Sequence, residues 1–123
     1  MRNLIQKFGI LALGIAVIAA SGCATCRSSY RRDLTDDPQL REANISYKKA
    51  IHWLDEAECS VTASYAESSY VTAQSYISDT IFKLKQLGHD RDIDVSEDIY
   101  YCEQIKSETD VKIGKADRFM QKP

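Results

Sequence analysis

The sequence is poor in residues that punctuate or staple a chain. Two prolines and five glycines in 123 residues are too few for a collagen-like or disordered polymer. With four cysteines the chain is also cysteine-poor. It has no basic block. Residues 1–22 carry only Arg2 and Lys7 as charges, and without them 14 basic side chains face 18 acidic ones. A mildly acidic chain suits nucleic acid poorly, so no nucleic-acid partner is expected. No strand-like alternation of useful length occurs. Gly114-Lys115 lacks the upstream glycine and following Ser/Thr of a phosphate loop, and neither a Gly-flanked serine nucleophile nor a paired zinc-ligand spacing is present. The length allows one small domain. No catalytic function is legible, and the expectation is a protein that is not an enzyme.

What is present begins with an address. Arg2 and Lys7 form a short basic start. Phe8 to Ala20 is an uninterrupted run of 13 apolar or small residues, about 20 Å as a helix, short of a ~30 Å bilayer core. This is the pattern of a bacterial secretory signal peptide. Ala20-Ser21-Gly22-Cys23 then resembles a lipobox, with small residues before a cysteine that accepts lipid. The resemblance implies a signal peptide at 1–22, a covalent lipid on Cys23 as the one attached group, and a mature chain of 23–123. Ala24, where Asp favours inner-membrane retention in enterobacteria-like systems, points to the outer membrane, facing the periplasm. The rival reading is an ordinary signal cut near Ala20 or Gly22, or an uncleaved anchor.

Residues 24–37 show no apolar periodicity. Arg27, Arg31 and Arg32 precede Asp33, Asp36 and Asp37, so 23–37 reads as a lipidated flexible tether. Its 14 residues after Cys23 reach at most ~45–50 Å, and its basic half is placed to meet anionic head groups. A helix then starts at Asp37-Pro38. Leu40, Ala43, Tyr47, Ala50, Leu54, Ala57 and Val61 recur at alternating spacings of three and four. That phase fails, and a second stripe appears at Tyr70, Ala73, Ile77, Ile81, Leu84 and Leu87. The Ser-rich segment between them, with Ser64 and Glu67 at capping-box spacing, predicts a break near 65–69; one continuous helix to Leu87 is the alternative. Gly88 ends the second helix. Ser96, Glu97 and Asp98 open a third, striped by Ile99, Cys102, Ile105, Thr109, Ile113, Ala116 and Met120. The expected fold is all-α: an antiparallel three-helix bundle over 38–123, behind the tether.

Tyr65-Ala66-Glu67, Tyr70, Ala73, Leu84, Cys102, Ile105, Asp110, Val111 and Ala116 together resemble an uncharacterised family of short helical bacterial lipoproteins. Some members of that family are fused to peptidoglycan-binding domains. The family usually has Pro at the position of Glu67 and Ala at those of Cys102 and Ile105. The resemblance implies no activity.

With Cys23 assigned to lipid, Cys59 and Cys102 are the natural disulfide pair in an oxidising compartment. Their heights match in a three-helix bundle with a break near 65–69. Their faces do not: Cys59 points away from the first seam, whereas Cys102 lies on its own stripe. Cys26 is either free or paired between molecules. His52 and Cys59 share the outer face of the first helix and could contribute to a metal or thiolate–imidazole site, although no full ligand set accompanies them. Trp53, Tyr65, Tyr70, Tyr76, Tyr100 and Tyr101 are candidates for a partner surface, since aromatic bodies with polar tips suit interfaces. The expectation is a non-enzymatic outer-membrane lipoprotein, anchored by lipid, whose bundle binds a protein partner or the cell wall. The alternatives are a redox or metal-binding lipoprotein using Cys59 with His52 or Cys102, and an immunity or exclusion lipoprotein.

Overall fold

The computed structural model describes residues 27–121. The expected signal peptide at 1–22, the lipobox-like stretch ending at Cys23, and Cys26 lie outside the described residues. Asp37 opens the helical region: its side chain accepts from the Gln39 N–H at 2.9 Å, and Pro38 occupies the first position of a single 3-10 turn, Pro38–Leu40. From that turn grows α1, Arg41–Glu58. A tight connection at residues 59–62 leads into α2, Ala63–Arg91, and a second loop leads into α3, Ser96–Gln121. The described residues are helical or irregular, and the three helices pack as an up-down-up bundle. α2 is the central helix, lying against both α1 and α3 along their lengths.

Each expected stripe makes one wall of the core. Leu40, Ala43, Tyr47, Ala50, Leu54 and Ala57 of the first wall are buried, as are Tyr70, Ala73, Ile77, Ile81 and Leu84 on α2, and Cys102, Ile105 and Thr109 on α3. Alanines at positions 43, 50 and 73 have no exposure, which lets the helix backbones approach closely. Val61, the last residue of the expected first stripe, is 98% exposed. It sits in the connection, because the chain turns earlier than the expected 65–69. Ser60 Oγ donates to the Thr62 carbonyl and accepts from its N–H, and Thr62 then caps α2 by accepting from the Tyr65 N–H. Ser64 to Ser69 are therefore the first turns of α2, with no break.

Gly88 does not end α2 either. The helix continues to Arg91 and stops at Asp92, which is left-handed at φ 51°. Gly88 instead admits the returning loop. A Cβ there would lie 3.2 Å from Val95 Cγ2 and 3.5 Å from the Ile93 carbonyl oxygen.

The larger departure from expectation is at the N-terminal side. Residues 28–37, expected to be a flexible tether, are laid down as an irregular strap in the groove between α1 and α3. The strap meets Asp55 at one end and Asn44 further up α1, so it runs antiparallel to that helix. Leu34, only 4% exposed, joins the hydrophobic core. The bundle therefore begins ten residues earlier than position 38.

Candidate functional site

The strap is held by polar side chains at two levels. At the lower level Asp55 is the receiver. Ser28 donates to its Oδ1 from both backbone N–H (2.9 Å) and Oγ (2.8 Å), and the Arg32 guanidinium spans both carboxylate oxygens at 2.6 and 3.2 Å. The same guanidinium turns back to Ser28, donating to its carbonyl and Oγ. Such a bidentate fork is stronger and more directional than a point-charge contact. Burial alone would raise the Asp55 carboxyl, but the Arg32 and Ser28 bonds outweigh it and hold the group below its ordinary value.

Beside this lies a tyrosine–carboxylate–lysine cluster. Tyr30 Oη donates to Glu108 at 2.5 Å, and Glu58 accepts from Tyr70 Oη (2.5 Å) and Lys112 Nζ (2.7 Å). The Lys112 ammonium also sits 5.7 Å from the Tyr70 ring centre and 5.9 Å from that of Tyr30. Desolvation, followed by the neighbouring carboxylates, raises both phenols well above the ordinary tyrosine value. Glu58 is lowered: burial works upward, and Lys112 and Tyr70 more than compensate.

At the upper level, Arg31 stacks 4.3 Å from the Tyr101 ring centre, lies 3.5 Å from Asp98, and receives a hydrogen bond from Tyr47 Oη on its carbonyl at 2.6 Å. Tyr101 Oη accepts from the Arg31 N–H, Thr35 donates to Asp98, and the Leu34 N–H donates to Asn44. Arg31 and Arg32, expected to face head groups, are thus directed into the bundle's own carboxylates. A separate clip joins α1 to α2: Ser46 Oγ donates to Asp79 at 2.6 Å and accepts from Lys83 at 2.9 Å.

Chemically, these are clasps. Asp55, Glu58 and Asp79 are all held in their ionised form by hydrogen-bonding partners. The buried Ser46 hydroxyl is already committed to a carboxylate and an ammonium. None of these three carboxylates is poised to exchange protons near neutrality.

The residues singled out from sequence are dispersed. Tyr70 and Tyr101 face the strap seam, where they join Tyr30 and Tyr47. Tyr76 is half-buried with Lys49 5.7 Å from its ring centre, and Trp53 packs edge-on to His52 at 5.3 Å. Tyr65 is exposed near the start of α2, with its hydroxyl on Glu56, whereas Tyr100 is exposed in the second turn of α3, toward the other end of the bundle. The six aromatics therefore do not form one partner surface. Sequence reasoning missed the seam residues Tyr30, Arg32, Leu34 and Asp55. The available signal was an aromatic and a leucine, Tyr30 and Leu34, set in an otherwise polar stretch.

The expected Cys59–Cys102 bond is not formed. Cys102 is a free thiol with no exposure, on the core stripe, while Cys59 follows the last turn of α1 on the side away from that core. Burial, then the Asp98 charge, pushes the Cys102 thiol up to about 12, which makes it a poor nucleophile. Cys59 is not among the free cysteines, but its partner is not Cys102. Among the described residues, no three His, Cys, Asp or Glu side chains are grouped to hold a metal, and the free Cys102 thiol rules out a redox pair of Cys59 with Cys102. An open cleft between the first turn of α1 and the end of α2, lined by Pro38, Glu42, Lys83, Asp90 and Arg91, lies at the end remote from Asp55. Also among the described residues, no helix is long and apolar enough to cross a membrane. Compared with known proteins, the chain matches no family model, no curated protein and no solved structure.

Proposed function

We propose that this chain is a bacterial lipoprotein, acylated at Cys23 and held at the periplasmic face of the outer membrane, whose helical bundle docks a protein partner or the cell wall without carrying out chemistry. The observation that carries the reading is the sequence Ala20-Ser21-Gly22-Cys23 closing a basic-then-apolar leader. The strap adds a geometric reason why an anchor here would be effective. Ser28 is stitched to Asp55, so only residues 24–27 separate the acylated position from a rigid body, a reach of about 17 Å. The end carrying Asp55 and the α1–α2 connection then faces the bilayer. The end carrying Pro38 and Arg91 is directed away from it, as the docking end.

The test is metabolic labelling with palmitate followed by envelope fractionation. Label should enter the wild-type protein, co-sediment with outer membrane, and be absent from Cys23→Ser. Label retained by the mutant, or a wild-type protein found wholly in the soluble fraction, would sink the reading.

A further inference from the structure

We propose that the end of the bundle carrying the α1–α2 connection is itself a lipid-binding surface: Val61, Tyr65, Phe119 and Met120 seat in the interfacial region of the bilayer that takes the acyl chain. This rests on the acylated-lipoprotein reading and adds a second membrane contact to it.

The four residues come from separate stretches of chain and meet at one end. Glu58, the last residue of α1, accepts from Tyr70 of α2 and from Lys112 of α3, so these three residues mark one level across the bundle. Beyond it α1 stops. α2 reaches back seven residues to its start at Ala63, and α3 runs on seven residues to Phe119, about 10 Å in each case. The ends of α2 and α3, with the connection at 59–62, therefore form the tip of the molecule. Its side chains are apolar where a helix end facing water is ordinarily polar. Val61 is 98% exposed, Phe119 68%, Tyr65 45% and Met120 40%. The Tyr65 hydroxyl donates to Glu56, which leaves the ring as the exposed part, an apolar body with a polar tip suited to an interface. Charges around the tip are of both signs, with Lys115 and Arg118 beside Asp117 on α3 and Glu56 on α1. Apolar burial, rather than attraction to anionic head groups, is the driving force.

Chain length names the occupant. Ser28 is bonded to Asp55, three residues above Glu58 on α1, which places it about 15 Å from the level of Phe119. Residues 24–27 join Ser28 to Cys23, at most about 17 Å of chain whatever course it takes. An inserted acyl chain holds Cys23 at the bilayer surface. With the helices upright, even a fully extended leash leaves the tip almost touching lipid, a gap too narrow for a folded partner. The strap lies between α1 and α3, so the α3 end with Phe119 and Met120 is on the side of the leash.

The test places an indole at the tip of the full-length acylated protein, expressed with its own leader and reconstituted in phosphatidylethanolamine–phosphatidylglycerol vesicles. In a Trp53→Phe background, Phe119→Trp is compared with Phe82→Trp, an exposed site on α2 about 28 Å further from the tip. In vesicles whose lipids are brominated near the top of the acyl chains, Phe119→Trp should lose about half of its emission or more and shift to the blue, and Phe82→Trp should be unchanged. Equal emission from both variants, quenched or not, overturns the proposal. So does a blue shift of Phe119→Trp that grows with protein concentration without quenching, which would assign the tip to a second copy of the chain. Intact mass reports acylation separately. An acylated protein with an unquenched Phe119→Trp indole leaves the lipoprotein reading standing and removes the tip contact, whereas a protein without lipid on Cys23 removes both.

Discussion

Asp55 takes hydrogen bonds from Ser28 and Arg32 together, so its charge holds two strap residues at once. Because Asp55 and Glu58 are held below their ordinary values of 3.8 and 4.5, their contribution is fully present above that range and is lost as pH falls through the lowered folded values. Stability should be flat from neutrality down to about pH 5 and decline below it. Asp55→Asn should flatten that acid limb, as followed by the fluorescence of Trp53, the single tryptophan. An unchanged acid limb in the variant would show that Asp55 does not couple the strap to pH. At a different residue the balance is reversed. The hydroxyl of Ser69 is buried at 1% exposure and lacks a hydrogen-bond partner. A buried, unsatisfied hydroxyl is destabilising, and alanine is the better helix former. Ser69→Ala should therefore raise the unfolding free energy by about 1 kcal/mol in urea titration.

Helix ends are decided by local hydrogen bonding, and α2 shows both kinds. Its start is capped by the Thr62 side chain. Its end falls on Asp92 with φ 51°, a region that L side chains enter at a cost and glycine enters freely. Asp92→Gly should stabilise the protein by about 0.5–1 kcal/mol, measured by thermal unfolding. A destabilised variant would mean that the Asp92 side chain does more for the loop than its backbone conformation implies. Gly88 has the opposite logic: it lies inside the helix, and its missing side chain leaves room for Val95 Cγ2.

For the molecule as a whole, the strap completes the packing that three helices begin. α2 contacts both neighbours, and the groove between α1 and α3 is filled by Tyr30, Leu34 and the guanidinium groups of Arg31 and Arg32. Leu34→Ala should lower stability by about 2–3 kcal/mol and should loosen strap and bundle in one transition, as read by denaturant unfolding and hydrogen exchange. If the helices keep wild-type stability while only residues 28–37 lose protection, the strap is a passenger.

The three helices were legible because helical burial is written at a spacing of three and four. Tyr47, Ile77 and Ile105 declare their walls through neighbours within two turns. The same periodicity showed that α1 and α2 are out of phase but could not locate the turn, since a phase shift between Ala57 and Tyr70 is compatible with several turning points. The hydrogen bonds of Ser60 and Thr62 chose among them. The Cys102 thiol and the strap needed the tertiary structure. Residues 28–37 have no period because they form no regular element. Their partners lie far along the chain: Asn44 for Leu34, Asp98 for Thr35, Glu108 for Tyr30. An irregular segment becomes ordered only when a groove of matching shape and charge exists, and that groove is made by helices the segment precedes.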